Sequence, residues 1–95
     1  PKGELRWKAE LEIGNSLSGE NKCVEAIPHF NRVAQEAPKP QRILASFAKA
    51  SCFEDQDDLD SAYELFAEIK DDYPSPSVVE LKMQKIKRRK ILRKR

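Results

Sequence analysis

The segment AIPHFNRVAQEAPKP at residues 26–40 is matched in pattern, 36 residues later, by AYELFAEIKDDYPSP at residues 62–76. Each copy places a small, an aromatic and an aliphatic residue at helical spacing and then two prolines. The matched residues are Ala26, Phe30, Val33, Pro38 and Pro40 in the first copy and Ala62, Phe66, Ile69, Pro74 and Pro76 in the second. A repeat of this length predicts helix pairs that stack in an array. We therefore expect an all-α fold in which antiparallel helix pairs form a short α-solenoid of about five helices.

Apolar residues at i, i+3 and i+4 spacing, separated by turn residues, give the bounds of the predicted helices. These bounds are residues 4–18, 22–36, 41–53 and 59–72, with a fifth helix that starts near residue 76. We expect Gly19 to end the first helix and Asn21 to cap the second. The prolines at 38 and 40 separate the second and third helices. An acidic turn at residues 54–60 places negative charge at the start of the fourth.

Length and composition restrict the classes of protein that fit this chain. Its 95 residues allow one small domain, which argues against a large buried catalytic cavity. Charged residues make up 36% of the chain and hydrophobic residues 39%, which suits a helical protein with a solvated surface. No apolar run approaches the roughly 18 residues of a transmembrane span. Two repeats are few for independent stability, so we expect a piece of a longer array or a module that packs against a neighbour.

The net charge of +2 conceals an uneven distribution along the chain. Nine of the 18 basic residues and none of the 16 acidic residues lie in residues 82–95, which leaves a net charge of −7 in residues 1–81. The body of the chain is therefore acidic and its C-terminal end is basic. We expect residues 82–95 to form a basic helical extension or a tail that is disordered until a partner binds.

The segments resemble two tetratricopeptide repeats (TPR) followed by a C-terminal capping helix. In that family a small residue on the first helix of a pair packs on a small residue of the second, an aromatic residue follows, and a proline closes the unit. Gly14, Ala26, Phe30 and Pro38 fit this pattern, and so do Ala48, Ala62, Phe66 and Pro74 if the acidic turn contains a two-residue insertion. The pattern departs from the family at Glu10 and Ser51. On this resemblance, residues 1–81 hold two helix pairs and the start of the capping helix.

The resemblance also implies a function, which is protein–protein interaction as an adaptor or scaffold. In the family, the first helix of each pair lines a groove that holds a segment of a partner protein. The residues expected to face such a groove are Lys8, Leu11, Asn15, Arg42, Ala45, Ser46 and Lys49. Leu11 stands where the family's carboxylate clamp has a lysine, so the resemblance does not extend to that clamp.

The basic end carries the main alternative, which is binding to nucleic acid or to another anionic surface. The residues concerned are Lys85, Lys87, Arg88, Arg89, Lys90, Arg93, Lys94 and Arg95. The same residues could instead dock on the acidic turn of another copy, or form a solvated helix end. Self-association into a homo-oligomer is a further alternative, because a two-repeat stack leaves apolar end faces open.

Residues that could support catalysis are scarce. His29 is the sole histidine, and the acidic turn lacks the glycine and the closing glutamate of an EF-hand loop. We therefore predict a protein that is not an enzyme and has no metal, cofactor or catalytic site. We expect Cys23 and Cys52 to be buried free thiols, with a disulfide as the alternative. The compartment is open, with the cytoplasm as the default and the bacterial envelope or the nucleus as alternatives.

Overall fold

In the part that the structure describes, the chain folds into five helices that pack on one another in sequence. The computed structural model describes the backbone of residues 2–93 and the side chains of residues 5–93. The helices are α1 (Lys2–Gly19), α2 (Cys23–Glu36), α3 (Lys39–Asp55), α4 (Leu59–Ile69) and α5 (Pro76–Arg93). Each helix packs against the next, and α1 also contacts α3. The molecule measures 51 × 28 × 17 Å. The prediction of an all-α, short helical stack is confirmed.

Prolines lie at or near two of the helix ends that differ from the prediction. α3 begins at Lys39, because Pro38 lies at its N-cap and Pro40 in its first turn, where a helix needs no N–H donor. α4 ends at Ile69, three residues earlier than predicted. Pro74 follows and disfavours the α conformation at Tyr73.

The described part of the basic end, residues 82–93, is helical. α5 continues to Arg93 and so includes Ile91 and Leu92. Straight-chain lysine and arginine residues are good helix formers, which supports this extension. Lys90 and Arg93 lie in the last turn, where cations interact favourably with the helix dipole.

The two turns within the helix pairs have the same backbone structure. Asn21 and Asp57 both adopt positive φ angles, of 63° and 70°. The N–H of the following residue donates to a carbonyl five residues back, from Lys22 to Leu17 and from Asp58 to Phe53. These bonds form the Schellman motif that ends α1 and α3. Asn21 therefore ends the first helix, and the prediction that it caps the second is wrong.

The turns within the two helix pairs keep the 36-residue period. α1 and α3 end at residues 19 and 55, and α2 and α4 begin at residues 23 and 59. Gly14 thus corresponds to Ala50, which is buried in the second core, and not to Ala48. The predicted two-residue insertion in the acidic turn is wrong. The period is two residues longer than the 34 residues of a tetratricopeptide repeat.

Two core clusters lie one behind the other along the stack. The first is centred on Phe30 and the second on Phe66, and both side chains are completely buried. The first cluster also contains Trp7, Cys23, Ala26, Val33, Ala37, Ala45 and Cys52. The second also contains Ala50, Leu59, Ala62, Val79 and Ile86, so it includes residues of α5. The duplicated residues, Ala26 and Phe30 in one copy and Ala62 and Phe66 in the other, therefore lie in the two clusters.

A disulfide joins Cys23 to Cys52, so the expectation of free thiols is wrong. Cys23 starts α2 and Cys52 lies in the last turn of α3, with Cα atoms 5.4 Å apart. The antiparallel arrangement of α2 and α3 brings these two helix ends together. The bond thus closes the end of the α2–α3 hairpin that lies opposite Pro38, and it links the first helix pair to the second.

Gly14 allows α1 to approach α2 closely. A Cβ atom at this position would lie 2.5 Å from Cε1 of Phe30, whose ring is fully buried and cannot easily move. We expect Gly14→Ala to lower the free energy of unfolding by about 1–2 kcal/mol, because overpacking outweighs the gain in helix propensity. Urea denaturation measures the change. Gly19→Ala is the control, since an added Cβ there meets nothing within 4 Å. If Gly19→Ala lowers the free energy of unfolding as much as Gly14→Ala does, the close approach of α1 to α2 is not the cause of the loss.

An ion-pair cluster joins α1 to α2 beside this contact. Glu10 accepts a hydrogen bond of 2.6 Å from Arg32, and its other oxygen lies 2.6 Å from Nδ1 of His29. The hydrogen bond with His29, together with Arg32, holds the pKa of Glu10 below its ordinary value of 4.5. Glu10 stands where the tetratricopeptide pattern has an apolar residue. Its negative charge is compensated by His29 and Arg32 on α2.

The lowered pKa of Glu10 predicts a dependence of stability on pH. Its contribution is present above pH 4.5 and disappears as the pH falls through the lowered folded-state pKa. At pH 7 we expect Glu10→Gln to cost about 0.5–1 kcal/mol, given the partial exposure of the cluster. Denaturation curves from pH 7 to pH 3 should show that the difference from wild type narrows as the medium becomes more acidic. A difference that grows below pH 4.5 contradicts the assignment.

Candidate functional site

A groove runs between α1 and α3 on the surface of the stack. Its volume is about 790 Å³. The residues that line it are Leu5, Lys8, Leu11, Glu12 and Asn15 from α1 and Gln41 and Leu44 from α3. Apolar side chains therefore alternate with amides and with one charge of each sign. Such a lining suits a segment that combines apolar side chains with polar backbone groups.

The predicted groove residues of α1 and α3 lie in different places. Lys8, Leu11 and Asn15 line the groove. Arg42, Ser46 and Lys49 do not, because at about 100° per residue they stand on the side of α3 opposite Leu44. Ala45 is completely buried in the first core, so its predicted exposure to the groove is wrong.

The period of 36 residues explains this difference. It makes Leu44, and not Arg42, the equivalent of Lys8. The erroneous insertion shifted α3 by two residues, or about 200° around its axis. Gln41 and Leu44 of α3 were therefore missed, although the 36-residue spacing of the duplicated residues could have found them. Leu5 and Glu12 of α1 were missed as well. Lys49 instead lies over the ring of Phe53, at 5.6 Å from its centroid.

Gln41 carries a buried acceptor without a partner. Its Oε1 atom is inaccessible to water and makes no hydrogen bond within the described structure. Gln41 occupies the third position of α3, from which a side chain usually accepts from the N–H of the N-cap residue. The N-cap residue here is Pro38, which has no N–H. The usual partner of a side chain at this helix position is therefore missing.

Removing this unsatisfied acceptor should stabilise the fold. We expect Gln41→Met to raise the free energy of unfolding by about 1 kcal/mol, because a buried polar group without a partner costs about 1–3 kcal/mol. Chemical denaturation of both proteins provides the comparison. Asn15→Met is the control at an exposed position in the same groove. Destabilisation by Gln41→Met would show that the amide has a structural role within the chain.

One side of the basic helix α5 binds the acidic turn of the same chain. Arg89 lies 2.9 Å from Asp57 and 3.7 Å from Glu54, and Lys82 lies 3.4 Å from Glu54. Further ion pairs join Lys90 to Asp60 and Arg93 to Asp57. The acidic turn is thus occupied within one molecule, and four cations of the basic end have partners there.

The remaining described cations of α5 form no ion pair with the acidic turn. Lys85, Lys87 and Arg88 are exposed, and none has an ion-pair partner in the part of the chain that the structure describes. Lys94 and Arg95, which the sequence also placed in this set, lie outside the described residues. The predicted anionic-partner site is therefore divided into an internally paired group and a solvated group.

Within the described residues, no three or more histidine, cysteine, aspartate or glutamate side chains are arranged to hold a metal ion. His29 is engaged by Glu10 in the α1–α2 cluster. None of the helices described has both the length and the apolar character needed to cross a bilayer.

Comparison of the chain with models of protein families, with curated proteins and with solved structures finds no match.

Proposed function

We propose that this chain is a non-enzymatic protein–protein interaction module that holds a segment of a partner in the α1–α3 groove. The observation that carries the proposal is the groove itself, with three leucines beside the amides of Asn15 and Gln41. The side-chain amides can hydrogen-bond to the backbone of an extended peptide, and the leucines can bury its apolar side chains. The tetratricopeptide-like pattern of the two helix pairs supports the same function, and the family assignment is part of the proposal.

The disulfide supports a location for this module. Disulfides persist in oxidising compartments and are rare where glutathione and thioredoxin keep thiols reduced. The Cys23–Cys52 bond therefore favours the bacterial envelope or another oxidising space over the cytoplasm and the nucleus.

The alternative function, binding of a polyanion by the basic helix, is less well supported. Arg89, Lys90 and Arg93 are already paired with carboxylates of the acidic turn. A polyanion would have to break these contacts in order to use them. α5 also contains no aromatic residue on which a base could stack.

Selection of peptides from a random 12-residue phage library on the immobilised chain tests the proposal. Synthetic peptides from the selection are then titrated by fluorescence polarisation against two groove variants, Lys8→Glu and Leu44→Asp. The matched control is Arg42→Glu, an exposed cation on the opposite side of α3. We expect a loss of affinity of about tenfold or more in the groove variants and less than twofold in the control. A selection that yields no peptide, or peptides sensitive only to Arg42→Glu, overturns the proposal.

A further inference from the structure

The outward side of α5 carries apolar and basic residues in a regular order. Val78, Leu81, Lys85, Arg88 and Leu92 follow spacings of three, four, three and four residues. This is the a/d spacing of a helix that pairs with another helix along one seam. Leu81 and Leu92 are 57% and 60% exposed, so the seam has no partner in the described structure.

A different side of α5 explains why this seam is free. Val79 and Ile86 are buried in the second core. Arg89 and Arg93, which lie on the same side as these two residues, bind the acidic turn. These contacts fix the rotation of the helix about its axis, and Lys85 and Arg88 form no ion pair with the acidic turn in the described structure. The seam is distinct from the α1–α3 groove.

We propose that this outward seam docks an acidic amphipathic helix of a partner protein. The two cations form the central layers of the seam, with apolar residues before and after them. A partner helix with glutamates facing Lys85 and Arg88, and apolar residues facing Leu81 and Leu92, matches both the charge and the spacing. Such a helix would stand next to α5 as α2 stands next to α1 and α4 next to α3.

The position of Arg88 favours a helix over a lipid surface as the occupant. In helices that lie in a membrane interface, the cations flank the apolar face or lie opposite it. Here Lys85 and Arg88 lie between Leu81 and Leu92 along the seam, so burial of the two leucines among acyl chains would carry both charges with them. A protein helix can place a carboxylate against Arg88 at that point.

A charge-swap experiment with designed peptides tests the seam. The probe is a 21-residue helical peptide with leucine at its a and d positions, except for two adjacent central layers that carry glutamate. A second peptide has lysine in those two layers. Binding of each peptide is measured by isothermal titration calorimetry with the wild-type chain, with Lys85→Glu/Arg88→Glu, and with the control Arg42→Glu/Lys49→Glu, which makes the same change of charge outside the seam.

We expect wild type and the control to bind the glutamate peptide at least tenfold more tightly than the lysine peptide. Lys85→Glu/Arg88→Glu should reverse this preference. Equal affinity for the two peptides, or an unchanged preference in the seam variant, overturns the proposal. Cosedimentation with vesicles of 70% phosphatidylcholine and 30% phosphatidylserine tests the lipid occupant, and sedimentation velocity tests a second copy of the chain. Binding that depends on Lys85 and Arg88 in either of these assays, without peptide binding, also overturns it.

Discussion

Replacement of both cysteines by alanine is expected to lower the free energy of unfolding by about 3–4 kcal/mol. The Cys23–Cys52 bond spans 29 residues of sequence, and in the chain-entropy model a loop of that length limits the unfolded ensemble by this amount. The total stability of a small domain is only about 5–15 kcal/mol, so the loss is a large fraction of it. Guanidinium denaturation followed by circular dichroism measures the change. The bond also joins the two helix pairs, so the transition should broaden if the pairs then unfold separately.

Reduction of the wild type provides the matched control for the cysteine variant. Dithiothreitol should lower the stability of the wild type by a similar amount and leave Cys23→Ala/Cys52→Ala unchanged. Alkylation of the denatured, unreduced wild type should modify neither cysteine. Modification of both, or a wild-type midpoint that does not respond to dithiothreitol, contradicts the assignment of the disulfide.

Removal of either repeated aromatic ring should destabilise the fold to a similar extent. We expect Phe30→Ala and Phe66→Ala each to cost about 3–5 kcal/mol, because both rings are completely buried and the cavities cannot fully collapse. The rings belong to different clusters, so each variant tests one half of the stack. Phe66→Ala should also loosen α5, since Val79 and Ile86 pack in the same cluster.

Leu81→Ala is the control for the aromatic variants, because it truncates an apolar side chain that is mostly exposed. Its effect should stay within about 0.5 kcal/mol. Hydrogen exchange of the α5 amides, measured in Phe30→Ala and in Phe66→Ala, separates the two clusters. We expect the α5 amides to exchange faster in Phe66→Ala than in Phe30→Ala. Equal acceleration in both variants would show that the two clusters form a single cooperative core.

The stack of helices could be predicted from the sequence because its signal is local. In α2 and α4, the duplicated small and aromatic residues determine the second helix of each pair. The prolines after them determine where that helix ends. The same positions became the centres of the two cores. The failure at Cys23 and Cys52 has a different origin, since a contact between residues 29 apart depends on how two helices pack. Composition alone therefore favoured free thiols.

The register of α3 was the weakest part of the sequence interpretation. Alanine stands at both 48 and 50, and either residue can serve as the small residue that lets two helices approach. The structure selects Ala50, and this choice rotates the expected groove face away from Arg42, Ser46 and Lys49. The cation–carboxylate pairs between α5 and the acidic turn were expected only between two copies, because the sequence shows the two charged segments without showing that they meet within one molecule.

Photo-crosslinking tests the central claim, that the α1–α3 groove holds a partner segment, most directly. Benzoylphenylalanine is placed either at position 44, in the groove, or at position 46, on the opposite side of α3. Each protein is irradiated with a library-selected peptide, and the products are analysed by mass spectrometry. The account predicts a covalent product from position 44 and none from position 46. A product from position 46 alone would contradict it.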